Sequence, residues 1–196
     1  MRIGILYLVS GPSGSGKSTL CRRLATDGLA SFSISCTTRP PRGSEQDGRE
    51  YYFLDRDQFQ AMAGKGEFLE HAEVYGNLYG TMRETVVSLL REGTDVVMDI
   101  DVQGAAQVRA SKDPLIQGSL VDLFVMPPSE VELAARLKSR GTDTREVIEL
   151  RLRNAIEEMS HWQEYRYRLL SSTREEDYAR FKALLLAERM RVSRIV

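Results

Sequence analysis

Three short runs of apolar residues, Ile3 to Val9, Asp95 to Ile100 and Leu120 to Val125, are each followed by a segment with helical spacing. Runs of this length suit strands buried on both faces, and their alternation with helices predicts βαβ units and a parallel sheet covered on both sides. Beyond Ser10-Gly11-Pro12, Leu20, Leu24 and Ala25 recur on one helix face. Ser129 and Glu132 predict a capping box behind Pro127-Pro128, opening a helix that runs to about Arg140, where Gly141 stops it. A loop at Gly141 to Asp143 leads to a further helix with Ile148, Leu152, Ala155, Ile156, Met159 and Trp162 on one stripe. Tyr178, Phe181, Leu184 and Leu185 form another stripe in a last helix. Both stripes read as core-facing.

The stretch from Ser35 to Thr81 has another character, rich in Arg, Tyr, Gly and Thr, and reads as an inserted subregion. Short strands are predicted at Tyr51 to Leu54, at Phe68 to Val74 and in the turn-rich Tyr75 to Gly80, and a helical segment at Asp55 to Met62. At 196 residues and 22.2 kDa the chain fits one domain with appendages. Its 27 basic and 28 acidic side chains nearly cancel, which excludes a global attraction to nucleic acid or to an anionic membrane. Any anion must therefore meet a local cluster. Cys21 and Cys36 have neither the number of a disulfide scaffold nor the spacing of a zinc or redox motif. They read as small buried thiols in a reducing compartment, and with no membrane span or cleavage signal in the first apolar run the expectation is a cytoplasmic protein. Arg189, Arg191 and Arg194 read as a solvated helix end that complements the helix dipole.

Gly11-Pro12-Ser13-Gly14-Ser15-Gly16-Lys17-Ser18 satisfies G-x-x-x-x-G-K-[ST] between a predicted strand and a predicted helix. Glycines let the backbone wrap until several N–H groups converge on a phosphate, and the helix start adds partial positive charge. Lys17 would reach the β- and γ-phosphates, and the Ser18 hydroxyl would hold Mg2+. The motif implies a nucleoside triphosphate. No Asn-Lys pair occurs, so the guanine-reading motif of GTPases is missing and a G-protein is disfavoured.

The inserted region supplies groups suited to a phosphate monoester. Thr37-Thr38-Arg39-Pro40-Pro41-Arg42 sets two guanidiniums beside rigid prolines, and Gly48-Arg49-Glu50-Tyr51-Tyr52-Phe53 follows. Glu67-Phe68-Leu69-Glu70-His71-Ala72 and Tyr75-Gly76-Asn77-Leu78-Tyr79-Gly80-Thr81 come next. Asp99-Ile100-Asp101-Val102-Gln103-Gly104 then places two carboxylates at the C-terminal end of a strand, where open α/β sheets bind ligands.

In order and in detail, these segments closely resemble the guanylate kinase family, over essentially the whole chain to about Leu170. The resemblance implies an α/β fold: a P-loop NTPase core with a parallel sheet flanked by helices, a small mixed α/β GMP-binding insertion and a helical lid. It implies a core of residues 1–34, 82–128 and 147–196, a GMP-binding region at 35–81 and a lid at 129–146. It also implies transfer of the γ-phosphate of ATP to GMP, with Mg2+. Residues Gly11 to Thr19 would hold ATP. Arg39, Arg42, Tyr51 and Tyr79 would hold the GMP phosphate, Ser35, Glu70, Thr81 and Asp101 would surround the base, and Asp99 falls on another position of that site. Arg136, Arg140 and Arg151 match arginines that close over the phosphates alongside Lys17. One segment departs from the family pattern: Ser171-Ser172 stand where Asn-Asp is usual near the adenine, which implies ATP with looser discrimination among donor bases.

The chemistry of the bases agrees with that assignment. Guanine offers N1–H and an exocyclic amine as donors, and an ionised carboxylate only accepts, so Glu70 and Asp101 reward guanine over adenine. Asp99 would either hold Mg2+ through water or orient Lys17. No general base is needed, because the acceptor is already an ionised phosphate, and neither His71 nor His161 is given a catalytic role. The partners expected are ATP and GMP, without nucleic acid or membrane, in a monomer or homodimer. Two alternatives stand beside this reading: a non-catalytic guanylate-kinase-like module that binds phosphopeptides, opposed by the intact loop at Gly11 to Ser18, and a kinase for another phosphorylated acceptor such as a sugar phosphate, opposed by Glu70 and Asp101.

Overall fold

The computed structural model describes residues 2–74, 76–138 and 145–194, with side chains left undescribed in 137–149. The chain opens with strand β1 (Leu6–Ser10), helix α1 (Lys17–Thr26) and strands β2 (Ser31–Phe32), β3 (Cys36–Thr37) and β4 (Tyr52–Phe53). Helix α2 (Arg56–Gly64), strands β5 (Phe68–Val74) and β6 (Asn77–Met82) and helix α3 (Arg83–Arg91) follow. Then come β7 (Val96–Asp99), α4 (Val102–Arg109), α5 (Pro114–Ser119), β8 (Leu120–Met126) and α6 (Glu130–Lys138). The chain ends with α7 (Arg145–Ser160), a 3-10 turn (His161–Glu164), β9 (Tyr167–Leu170), α8 (Arg174–Arg189) and a last 3-10 turn (Val192–Arg194).

Five strands form a parallel sheet in the order β2-β7-β1-β8-β9, with β1 buried along its whole length. Its alternate side chains feed two cores. Ile5, Tyr7 and Val9 pack with Leu20 and Leu24 of α1 and with Tyr178, Phe181 and Leu185 of α8, whereas Leu6 and Leu8 pack with Val86, Leu90, Ala105, Val108 and Ile116 on the other face. A strand covered on both sides must be apolar at every position, which is why the first run carries no polar alternation. Chain order along the sheet reverses at β1, since α1 leads to β2 on one side and α5 leads to β8 on the other. Ligands gather beyond the C-terminal ends of strands at such a switch point.

The inserted region forms its own sheet, β4-β3-β6-β5, in which β3 and β4 are parallel and the other pairs antiparallel. Phe59 of α2 stacks on Phe68 at 4.4 Å beneath it. Asp55 starts α2 with both hydrogen bonds of a capping box, its side chain accepting from Gln58 N and the Gln58 side chain accepting from its own N–H.

Several expectations need correction. Ile156 is 45% exposed, because Leu152, Ala155 and Met159 turn toward Leu133 of α6 and use up the buried face of α7. The arginines at the chain end do not form a solvated face. Arg189 pairs with fully buried Asp95 at 2.7 Å and donates to Leu29 O, and Arg194 pairs with buried Glu188 at 3.1 Å and donates to Gly118 O. Two carboxylates inside the fold require such partners. The helices α3 and α5 and the strand β2 carried no strong sequence signal. At Ser129 half of the predicted capping box forms: its Oγ accepts from Glu132 N, while the Glu132 carboxylate reaches Arg136 instead. The predicted end of α6 at Arg140 and the loop at 141–143 lie outside the described residues.

Candidate active site

The loop between β1 and α1 is held by its glycines. Gly11, Gly14 and Gly16 have φ of 146°, 92° and 96°, values that side chains disfavour. A Cβ on Gly11 would stand 2.3 Å from Val125 O, so β8 itself denies that position a side chain. Ser15 N donates to Pro12 O at 3.0 Å, turning the loop toward α1, and Gly16 caps that helix. Register then supplies the carboxylate. Val9 pairs with Asp99 across β1 and β7, so the end of β7 delivers Asp99 beside the loop, 3.8 Å from Lys17 Nζ and accepting a hydrogen bond from the Ser18 hydroxyl.

A cleft of about 370 Å3 lies between the loop and the second sheet. Gly11, Ser13, Lys17, Ser18, Asp99 and Asp101 form its core wall. Ser35, Arg42, Tyr51, Glu70 and Tyr79 form the opposite wall, and Arg151 of α7 closes one side. Thr81 sits behind Glu70, donating from Oγ1 to Glu70 Oε1 at 2.7 Å and lying 3.5 Å from Ser35 Oγ. Arg39 is buried behind the wall, where its guanidinium donates to Glu45 at 2.9 Å and to Pro40 O at 2.7 Å and stands 5.4 Å from the Tyr51 ring centre. Asp101 starts α4, one carboxylate oxygen accepting from Gly104 N at 2.7 Å.

Glu70 is 7% exposed, and burial pushes its carboxyl up to about 7, with nearby Asp101 pushing the same way and the Thr81 hydrogen bond opposing both. Glu158 also lines the cleft and is raised to about 7, mainly by burial against an opposing attraction from Lys17. Sequence reasoning missed Glu158. The available signal was its spacing, seven residues beyond Arg151 and so on the same helix face. Glu45, which engages Arg39 and also accepts from Arg42 N, was missed too.

Gly14, Ser15, Gly16 and Thr19 line a second cavity, of about 560 Å3, on the other side of the loop. Arg136 lies there, not in the first cleft, with Ser171, Ser172 and Asp177. Arg140 lies outside the described residues. Ser18 and Asp99 offer two oxygen ligands on one side of the loop, and among the described residues no cluster of three or more His, Cys, Asp or Glu could hold a metal. A pair of oxygens suits Mg2+, which keeps several waters and is completed by substrate phosphates.

The model of the guanylate kinase family matches residues 4–188. A guanylate kinase of Alkalilimnicola ehrlichii is 48% identical over 97% of this chain and 92% of its own length, and one of Salmonella typhimurium is 46% identical over 99% and 93%. The crystal structure of guanylate kinase from Anaplasma phagocytophilum superposes with a TM-score of 0.81 at 33% identity, covering 98% of this chain and 90% of that one. Matched by the family model over most of its length and by relatives of 46–48% identity over nearly all of it, the chain belongs to the guanylate kinase family.

Proposed function

We propose that the protein is an ATP:GMP phosphotransferase, moving the γ-phosphoryl group of ATP to GMP to give ADP and GDP. The observation that carries this reading is the placement of Glu70 and Asp101 in the same cleft as Lys17, so that a guanine reader and a phosphate loop face one space. Asp101 keeps one oxygen beyond its helix cap, and Glu70 presents a carboxylate steadied by Thr81. Both accept from the N1–H and amino edge of guanine, whereas adenine would turn an unprotonated N1 toward them. Ser35 would serve the 6-oxo group.

Arg42, Tyr51 and Tyr79 would hold the GMP phosphate, with Arg39 behind Tyr51 as part of the same array. Residues 35–81 then act as the acceptor-binding part, 129–146 as the lid, and the remainder as the core. A phosphate oxygen of GMP attacks the γ-phosphorus, the bond to the β–γ bridging oxygen breaks, and ADP leaves with that electron pair. No proton must be abstracted first. Two like charges 4 Å apart repel by about 4 kcal/mol at an effective dielectric of 20, so cations must offset the approach of two polyanions. Lys17 and Arg151 supply that charge in the cleft, and Arg136 and Arg140 would add to it. The donor set of Ser18 and Asp99 fits Mg2+, which when bound would neutralise charge on the β- and γ-phosphates. Asp99 would also orient Lys17, whose ammonium it already approaches.

Two buried free thiols suit a reducing cytoplasm, the compartment we propose, and no helix among the described residues is long and apolar enough to cross a membrane. A coupled assay across GMP, dGMP, AMP, UMP and ribose phosphates tests the reading. Phosphorylation of GMP at least a hundredfold over AMP is expected. Equal use of AMP, or none of GMP, would overturn it.

A further inference from the structure

Strand β5 changes phase partway along its length. Its pairing with β6 shifts register between Phe68 and Glu70, the mark of a β-bulge. In a regular strand Phe68 and Glu70 would share one face and His71 would take the other. Here the Phe59 ring of α2 stacks on Phe68, and the His71 ring stands 6.3 Å from that of Phe59 and 6.1 Å from that of Phe68, so His71 has joined the α2 face. Leu69 packs into the core with Val86 and Leu90, and Glu70 is turned to the cleft, where it accepts from Thr81. Without the bulge Glu70 would lie on the face of the phenylalanines.

The residue just past the bulge is held from outside the sheet. β5 is an edge strand, so the backbone groups on its free side need partners from elsewhere. At His71 one side chain takes both: Gln107 Oε1 accepts from His71 N at 3.1 Å, and Gln107 Nε2 donates to His71 O at 2.8 Å. A carboxamide carries the same donor and acceptor as a peptide unit, so Gln107 pairs with His71 as a further strand would. It belongs to α4, along which Asp101, Gly104 and Gln107 follow one another at i, i+3 and i+6. A Cβ on Gly104 would meet Glu70 Oε2 at 2.7 Å, so the Glu70 carboxylate rests against this helix. One helix therefore supplies one carboxylate of the cleft, the support under the other, and the clamp on that other's strand.

We propose that Gln107 is a positioning residue for the acceptor base: its carboxamide fixes the phase of β5 just past the bulge and so holds the Glu70 carboxylate in the cleft beside Asp101. Two hydrogen bonds to the backbone of one residue set both its place along the strand and its rotation about it, which the bulge alone leaves free to relax. The inference rests on the phosphotransfer reading above, with Glu70 reading guanine.

Gln107→Met keeps the side chain's length and the helix while removing both hydrogen bonds, at an exposed position where the fold does not depend on it. In the full chain KM for GMP is expected to rise about fivefold, with kcat and KM for ATP changed less than twofold. In a Glu70→Gln background the same substitution is expected to change KM for GMP less than twofold, because the group it positions is already disabled. A role confined to stability would leave KM for GMP unmoved, or act equally in both backgrounds, and either result overturns the proposal. Hydrogen exchange at the His71 amide checks the clamp itself: exchange at least tenfold faster in Gln107→Met is expected, and an unchanged rate would count against it. If the unaltered protein phosphorylates GMP while these readouts stay unmoved, the proposal alone falls. Absence of that phosphorylation would remove the reaction and the proposal together.

Discussion

The two walls of the cleft, which on the proposed function would recognise phosphate and base, are built by different means. The loop wall is made of backbone: three glycines at positive φ, one helix start and a lysine, all within eight residues of sequence. The facing wall is made of side chains drawn from scattered places, with Ser35 beside β3, Tyr51 beside β4, Glu70 on β5 and Tyr79 on β6. A backbone site tolerates no added atoms but asks little of its neighbours. A side-chain site works only if a second sheet is folded behind it, and it stores cost, because Glu70, the proposed base reader, is buried.

Substitutions on the loop wall should break the comparison most sharply. Gly11→Ala places a Cβ 2.3 Å from a main-chain carbonyl of β8 and strains φ as well, so loss of nearly all phosphotransfer is expected, with weakened ATP binding by calorimetry. Lys17→Ala leaves the loop path intact and removes only a charge from the transferring group. A fall in kcat of about 10^2 to 10^3 is expected, with GMP binding retained.

The side-chain wall should respond more gently and with a trade-off. Glu70→Gln is expected to lower kcat/KM for GMP by the equivalent of about 1–3 kcal/mol, since the amide turns a donor toward guanine or leaves its amino group unpaired. The carboxyl of Glu70 stands at about 7 against an ordinary value of 4.5, so folding takes up a proton between those values and the protein loses stability as pH rises through that window. The same substitution should therefore raise thermal stability at pH 8 and leave it nearly unchanged at pH 4. In the unaltered protein, KM for GMP should rise as pH falls below about 7, and this dependence should flatten in Glu70→Gln. The smallest effect is expected at Gly104, where an added Cβ would meet Glu70 Oε2 at 2.7 Å and Ile100 Cγ1 at 2.8 Å. Those are side-chain atoms able to shift, so Gly104→Ala should raise KM for GMP several-fold without abolishing turnover. A loss as large as that of Gly11→Ala would show that the second wall is as rigid as the first.

Legibility followed the same division. The loop is a contiguous motif, and the run from Gly11 to Ser18 could be read as a phosphate site because each residue's task depends on its immediate neighbours. Glu70 and Asp101, which line the same cleft, were named as candidates through short segments whose order resembled a known family. Glu158 and Glu45 were not, since nothing in a helical or loop sequence marks which carboxylate will face a cleft or a buried arginine. The arginines at the chain end were read as solvated for the same reason. Their partners Asp95 and Glu188 are ordinary acidic residues until packing buries them.

Local pattern by itself determined the strands buried on both faces, the phosphate loop and the helix starts, because period, capping and backbone freedom act over a few residues. Only the tertiary structure decided that Val9 would stand beside Asp99, that two sheets would face one another across a cleft, and which carboxylates would be buried against arginines. Those outcomes depend on register between segments tens of residues apart and on which groups lose contact with water, and neither is a property of any stretch of chain taken alone.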